Sequence, residues 1–183
     1  MNIFNVPVPF AWAEALRIVQ SVHPEAVLAG GALRDLILGG EVKDLDIFIG
    51  PDGTNLMEVL MLRHGWRLIT VTNAVYVASM RREVVKVCGY RVPGLDPEVQ
   101  IIQLKKLDEP HDAISRMDFA ACQVGMISTT HWVYTPAALR DLLMRTITMM
   151  EPEDHMQETR SYVRGKRFEQ KYAGTDVRVI YSR

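Results

Sequence analysis

The segment 28–49, LAGGALRDLILGGEVKDLDIFI, constrains the fold more than any other part of the chain. It opens with an apolar run that predicts a short buried strand, and Gly30-Gly31 predicts a turn directly after it. Residues 32–38 predict one or two turns of helix, which the next pair of glycines ends. The apolar run at 45–49 predicts a second strand. The segment therefore predicts a fold that mixes strands and helices.

The glycine pair predicts a binding function in addition to a turn. Gly30 and Gly31 lack side chains, so the backbone can approach a bulky anion there and direct amide N–H groups at it. The helix that begins at Ala32 adds a dipole whose positive end favours phosphate. These features predict a phosphate cradle at the turn.

The second strand begins with two carboxylates, Asp44 and Asp46. Side chains at i and i+2 of a strand point to the same side, so these two project together. Two negative charges at so short a distance repel each other, and divalent cations between them would remove the repulsion. A phosphate cradle beside paired carboxylates is typical of metal-assisted phosphoryl or nucleotidyl transfer.

The rest of the chain adds helices towards both ends and a run of strands in the middle. Residues rich in Val, Ile, Thr and Tyr predict the strands, and Thr135-Pro136 predicts a helix start with Thr135 as the N-cap. The predicted helices are 11–22, 55–64, 109–115, 136–144 and 153–172, and the predicted strands are 67–71, 75–79, 84–90, 99–104, 118–127 and 131–134. This order predicts an α+β fold with a central mixed sheet flanked by helices, not a doubly wound parallel sheet.

Composition narrows the class of protein. At 183 residues and 48% hydrophobic, the chain can bury a core without disulfides or a structural metal. Cys88 and Cys122 are too few for a disulfide framework and are expected to be buried thiols in a reducing compartment. No apolar run approaches the roughly 18 residues of a membrane span. We therefore expect a cytoplasmic protein with no membrane partner, and neither a secreted mini-protein nor a membrane protein.

The net charge of −1 hides an asymmetry along the chain. Residues 160–183 hold seven basic and two acidic side chains, so they carry +5, and the residues before them carry −6. A basic end on an acidic body suggests an anionic partner, although a solvated helix face explains the same pattern. We predict a core over 1–135 and a helical, basic extension over 136–183 packed on it.

Two strings, GGALRD (30–35) and KDLD (43–46), together resemble the signature of the DNA polymerase beta-like nucleotidyltransferase superfamily. The resemblance is closest to the head domain of the CCA-adding enzymes and bacterial poly(A) polymerases, which carry a Gly-Gly-x-x-Arg-Asp turn and an Asp-x-Asp pair at this spacing. It extends more loosely to stand-alone nucleotidyltransferase-like proteins of phages and large DNA viruses. For a phage-encoded protein, the compartment would be the host cytoplasm. The resemblance implies the polymerase beta-like fold, with the nucleotidyltransferase core over 1–135.

The resemblance also implies roles for individual residues. Mg²⁺, or Mn²⁺ in its place, would be held by Asp44 and Asp46 in a two-metal mechanism that activates an acceptor hydroxyl and stabilises the leaving pyrophosphate. Arg34 would contact phosphate or brace the site through Asp35. The implied nucleotide-binding set is Gly30, Gly31, Arg34, Asp35 and Lys43.

A third carboxylate, which the family usually carries on a later strand, has no direct counterpart in this chain. The expected strand, 99–104, offers only glutamines, Gln100 among them, and these are weak Mg²⁺ ligands. The string RMDF (116–119) resembles a weakened form of the family's Arg-Arg-Asp-Phe motif, and Asp118 is the predicted third catalytic and metal-binding residue. Glu98 is the alternative, and a site with only two carboxylates is the third option.

Together these observations predict a minimal nucleotidyltransferase that moves an NMP from an NTP to a hydroxyl acceptor and releases pyrophosphate. ATP or CTP is the expected donor, and an RNA 3′ end, including that of tRNA, is the expected acceptor, held by the basic C-terminal segment. Two alternatives stay open. One is a catalytically decayed module that binds nucleotide or RNA, and the other is a toxin-like enzyme that modifies tRNA or protein.

Overall fold

The computed structural model of the protein describes residues 6–51, 53, 55–73 and 84–181. The strands of its main sheet are β1 (Val27–Ala29), β2 (Asp44–Ile49), β3 (Arg67–Asn73), β4 (Val84–Arg91), β5 (Glu98–Leu104), β6 (Val124–Ser128) and β7 (His131–Tyr134). The helices are α1 (Phe10–Gln20), α2 (Gly31–Leu38), α3 (Leu56–Glu58, continued by a π-helical turn over Val59–Arg63), α4 (Pro110–Ile114), α5 (Pro136–Met144) and α6 (His155–Lys171). Two further strands, β8 (Thr146–Thr148) and β9 (Arg178–Ile180), form a separate parallel pair.

The seven strands of the main sheet lie in the order β3-β4-β5-β2-β1-β6-β7. β2 is the central strand, parallel to β5 and antiparallel to β1. The remaining neighbours in the sheet are all antiparallel. The sheet is therefore mixed, and the predicted α+β class is confirmed.

The alternation of β2 fixes which of its side chains face the core. Leu45, Ile47 and Ile49 are buried on one side, whereas Asp44 and Asp46 lie on the other side and are only partly buried. A strand with one apolar face and a polar start is held in one register, because a slip by one residue would bury both carboxylates.

The C-terminal part of the chain contacts the core through α5 and α6. Thr135 caps α5, as predicted, because its side chain accepts a hydrogen bond from the Ala138 N–H. α6 buries a narrow stripe formed by Ser161, Gly165 and Phe168, and the rest of its surface is largely exposed. The Phe168 ring meets Phe119 edge-on with ring centroids 4.9 Å apart, which joins α6 to the core.

Two sequence-based predictions of secondary structure are wrong. The predicted strand 118–127 begins only at Val124, because residues 120–122 form a turn of 3₁₀-helix before it. The C-terminal extension is not wholly helical, since β8 and β9 pair with each other. The predicted strand 75–79 lies outside the described residues. None of the helices described in the structure is both long and apolar enough to cross a membrane.

Candidate active site

The turn between β1 and α2 requires glycine at its first position. Gly30 has φ 90° and ψ −134°, a backbone conformation that side-chain-bearing residues rarely adopt. A Cβ atom at this position would lie 3.2 Å from Met117 Cε and 3.9 Å from Asp46 Oδ2. The Gly30 N–H donates to the Val124 carbonyl at 2.9 Å. The turn is therefore anchored between β1 and β6, with the Asp46 carboxylate directly beside it.

The aspartate pair lies where the sequence predicted it. Ala29 is the register partner of Asp46, so the residue that precedes the glycine turn stands beside the second aspartate. Asp44 and Asp46 share one face of β2 and are both half-buried. Water and a cation can therefore reach the carboxylates, while the strand fixes their spacing.

The start of α2 leaves backbone donors available at the turn. No side chain among the described residues caps this helix, and the first backbone N–H groups of a helix have no partner within it. Gly31 adds no side chain that would cover these donors. The eight residues of α2 thus end in an uncapped N-terminus beside Asp46, a geometry that suits an anion.

Arg34 and Asp35 are buried directly beneath this turn. Arg34 Nε and Nη2 donate to Asp35 Oδ1 at 2.8 and 2.7 Å, and both side chains are about 5% exposed. Arg34 Nη1 donates to Cys122 Sγ at 2.9 Å. Burial raises the pKa of the Cys122 thiol, so the sulfur is neutral. Arg34 is therefore buried and paired with Asp35, and it does not present an open contact to phosphate.

The last residue of α6, Lys171, and the residue that follows the helix, Tyr172, are the other partners of this pair. Lys171 Nζ donates to Asp35 Oδ2 at 2.5 Å, and the Tyr172 hydroxyl donates to Asp35 Oδ1. The Arg34 guanidinium lies over the Phe168 ring, 4.2 Å from its centroid. Burial, and then the Asp35 carboxylate, raise the pKa of Tyr172 above its usual value, so its hydroxyl stays protonated and donates.

Asp118, the predicted third carboxylate, is engaged by the same helix. Its carboxylate accepts from Arg164 Nη1 at 2.6 Å and from Ser161 Oγ at 2.9 Å. Over the residues that the structure describes, no three His, Cys, Asp or Glu side chains are gathered closely enough to hold a metal ion. The structure therefore does not bring Asp118 into a cluster with Asp44 and Asp46.

The alternative carboxylate, Glu98, starts β5 and pairs in register with Asp44. Its side chain leans away from β2, because its carboxylate lies over Gly89 of β4. Gln100 is the register partner of Asp46, as its place in the expected strand implied. Lys43 is exposed and directly precedes β2.

Sequence reasoning missed the contribution of α6 to this region. Lys171, Tyr172 and Phe168 lie far along the chain from Arg34 and Asp35, and no local motif marks them. A signal was nevertheless present, since the basic residues of this segment recur at helical spacing and so occupy one flank: Arg160, Arg164, Arg167 and Lys171. We call these four residues the basic flank of α6.

A family model described as "Gad2: Gabija anti-defense 2 family protein" matches residues 11–145. The chain belongs to the Gabija anti-defense 2 family. The matched region runs from α1 through α5 and contains both the glycine turn and the aspartate pair, whereas α6 lies beyond it. No curated protein matches this member of the family.

Solved structures share the fold of this family member. A CCA-adding enzyme with CTP is 16% identical with a TM-score of 0.68, and the match covers 97% of this chain and 42% of the enzyme's chain. The Thermotoga maritima CCA-adding enzyme complexed with tRNA is 15% identical with a TM-score of 0.67, and the match covers 97% of this chain and 41% of the enzyme's chain. A structure titled tRNA-processing enzyme is 19% identical with a TM-score of 0.64, covering 94% and 44%. The chain therefore has the polymerase beta-like nucleotidyltransferase fold and spans less than half the length of these structures.

Proposed function

We propose that this protein is a minimal nucleotidyltransferase that transfers an NMP from an NTP to a hydroxyl acceptor. The observation that carries the proposal is the position of the Asp46 carboxylate beside Gly30, at the uncapped start of α2. This arrangement puts carboxylate oxygens next to the first backbone N–H groups of α2. An NTP needs both, because its phosphates accept hydrogen bonds and its bound cation takes oxygen ligands.

The residues present suit Mg²⁺ carried in by the nucleotide. Mg²⁺ is commonly held in proteins by one or two carboxylates together with substrate phosphates, rather than by a cage made only of protein ligands. Asp44 and Asp46 supply two carboxylates on one face of β2. A third protein carboxylate is therefore not required for binding, and Mn²⁺ would suit the same oxygen ligands. When bound, the metal supplies charge stabilisation to the phosphates and lowers the pKa of a coordinated hydroxyl.

The residues of this chain would act mainly by position and charge. The turn and the start of α2 would hold the triphosphate so that its α-phosphorus faces the acceptor hydroxyl. The hydroxyl oxygen bonds to that phosphorus, the bond to the bridging oxygen of pyrophosphate breaks, and the hydroxyl proton passes to solvent. Pyrophosphate leaves with the electron pair of the broken bond. We propose ATP or CTP as the donor.

The basic flank of α6 supports a nucleic-acid acceptor, with an RNA 3′ end as our choice. Arg164 and Lys171 pair with carboxylates of the core, so the flank is turned towards the core. Arg160 and Arg167 are exposed and form no ion pair with any residue the structure describes. Unpaired guanidinium groups along a helix suit the phosphates of a single strand. The flank covers about 16 Å at the 1.5 Å rise of an α-helix.

The family description names an anti-defense role against Gabija. We propose that nucleotide transfer is the chemistry of that role and that the protein acts in the cytoplasm. If a phage encodes the protein, this is the cytoplasm of the host cell. A toxin-like enzyme that modifies tRNA or protein would use the same site, and only the acceptor would separate it from the leading proposal.

A second candidate is a module that binds nucleotide or RNA without chemistry. Two observations favour it: Asp118 is occupied by α6, and an uncharged glutamine stands beside Asp46 on β5. The aspartate pair and the glycine turn favour the enzyme, because they place carboxylate oxygens beside the start of α2, where a nucleotide and its cation would both find ligands.

The test is a labelling experiment with matched variants. The purified protein is incubated with each α-labelled NTP, Mg²⁺ or Mn²⁺ and total cell RNA, and the labelled species is identified. We expect label in RNA with the wild type, a loss of at least about 10²-fold with Asp46→Asn, and full transfer with Asp96→Asn, an exposed loop carboxylate. Asp46→Asn should also lose the ability to counter Gabija.

Other outcomes select other functions. Label in protein instead of RNA would support the toxin-like enzyme. Nucleotide binding without transfer to any acceptor would support the binding module. Failure of the wild type to bind any NTP with either cation would overturn the whole proposal.

A further inference from the structure

Beneath the glycine turn, three buried or nearly buried charges do not cancel. Arg34 and Lys171 are cations, and Asp35 is the carboxylate that both of them contact. The Tyr172 hydroxyl and the Cys122 thiol, which complete the cluster, are neutral because burial raises both of their pKa values. The cluster therefore carries one surplus positive charge.

This surplus lies directly under the start of α2. A Cβ atom on Gly31 would be 3.6 Å from Arg34 Nη2, so the guanidinium touches the turn from below. Arg34 is only 4% exposed, which limits the screening of its charge by water and salt. Without Lys171, Asp35 would neutralise Arg34 alone, and the cluster would present no net charge to the turn.

We propose that Lys171 is a positioning residue for the triphosphate, which acts through Asp35 by leaving the charge of Arg34 uncompensated beneath Gly31. This inference rests on the proposed function and deepens it, since it assigns part of the nucleotide site to α6. Lys171 lies outside the region that the family model matches, which ends at residue 145. The ligand class is a nucleoside triphosphate or its product, pyrophosphate.

The same contacts show why α6 can perform this role. Its hydrogen bonds to the core end on residues beside the site. Lys171 and the following Tyr172 donate to Asp35, and Arg164 donates to Asp118. Phe168 adds a ring under the guanidinium of Arg34. The helix is thus fixed at several points, and a fixed charge stabilises a bound anion without first having to be ordered.

The test measures binding of MgATP, MgCTP and magnesium pyrophosphate by calorimetry at several KCl concentrations. Lys171→Met is expected to weaken binding about tenfold at low salt and to flatten the dependence of affinity on salt. Lys171→Arg, which keeps the charge, should restore most of the affinity. Lys166→Met, which removes a charge paired with Glu169 elsewhere on α6, should bind like the wild type.

Two measurements separate charge from structure. Urea unfolding confirms that each variant is folded at the binding temperature. Tyr172→Phe removes a hydrogen bond from the same carboxylate and no charge, so it should lower the free energy of unfolding and keep the wild-type salt dependence.

The inference is overturned if folded Lys171→Met binds within twofold of the wild type with an unchanged salt dependence, or if Lys171→Arg is as impaired as Lys171→Met. Those results would leave the proposed function intact, because the wild type would still bind nucleotide. If the wild type itself binds none of the three ligands, the proposed function fails first, and the inference falls with it.

Discussion

Replacing Asp35 by Asn should be among the most damaging single changes to stability. The carboxylate is about 5% exposed and accepts hydrogen bonds from Arg34, Lys171 and Tyr172. Asn keeps the shape but removes the negative charge, and its amide turns a donor towards groups that also donate. Removing one partner of a buried ion pair costs about 3–5 kcal/mol, because the remaining charge stays buried. We expect a loss of at least about 3 kcal/mol for Asp35→Asn.

Thermal and urea unfolding followed by circular dichroism would measure this loss. For a chain of this length, about 3 kcal/mol corresponds to a fall in Tm of roughly 6–12 °C. The matched control is Asp176→Asn, because Asp176 pairs with Arg145 at 2.6 Å but its side chain is 69% exposed. An exposed pair contributes under about 1 kcal/mol, so this control should unfold close to the wild type.

A double variant tests the cause of the loss. Arg34→Met combined with Asp35→Leu removes both buried charges and keeps apolar volume, while Lys171 is 20% exposed and can turn to solvent. It should be more stable than Asp35→Asn alone. If Asp35→Asn costs no more than Asp176→Asn, or if the double variant is less stable than Asp35→Asn, the unpaired buried charge is not the source of the loss.

Two further changes test packing and capping. Gly125→Ala would place a Cβ 2.9 Å from Val27 Cγ2 and 3.0 Å from Val133 Cγ2. This overpacking should lower the free energy of unfolding in urea by about 1–3 kcal/mol. An unchanged unfolding midpoint would contradict this prediction. Thr135→Ala removes the cap of α5 and the hydrogen bond to Gln123, which should cost about 1–2 kcal/mol. Thr135→Ser keeps the hydroxyl and should restore most of that loss, a recovery that chemical denaturation can check.

The part of the fold that could be predicted from sequence is the part that is local. Between residues 28 and 49, each signal acts over a few neighbours: glycine for a positive φ, an apolar run for a strand, and i, i+2 spacing for the aspartates. The structure places strand, turn, helix and strand there as predicted. The aspartate pair and the glycine turn come together because β1 and β2 are adjacent strands.

The strand predicted over 118–127 shows where local signals fail. Residues 118–127 are largely apolar, and a short buried run does not distinguish a strand from a helical turn. Phe119 forms only an isolated bridge to Met149, and residues 120–122 turn before β6 begins. Asp118 therefore precedes a turn rather than starting a strand, and the argument that put it at a strand end beside the aspartate pair does not hold.

A different reason explains why sequence did not predict β8, β9 and the contacts that α6 makes with the core. Each of the two strands has three residues, too few to show a period of two, and they pair across a helix. The contacts from α6 to Asp35 and Asp118 join residues far apart in sequence. Only a three-dimensional arrangement shows that these carboxylates serve as anchors for the helix.

The separation between Asp35 and Lys171, 136 residues along the chain, bears on how the protein is made. Arg34 and Asp35 are synthesised early, but Lys171 and Phe168 emerge from the ribosome only after the main sheet has been translated. A nascent chain can therefore pair its central strands while the region under the glycine turn still lacks its last charge and its aromatic cover. Closing so long a loop is entropically costly, so the docking of α6 should come late in folding. Formation of the proposed nucleotide site would then wait for the synthesis and docking of α6.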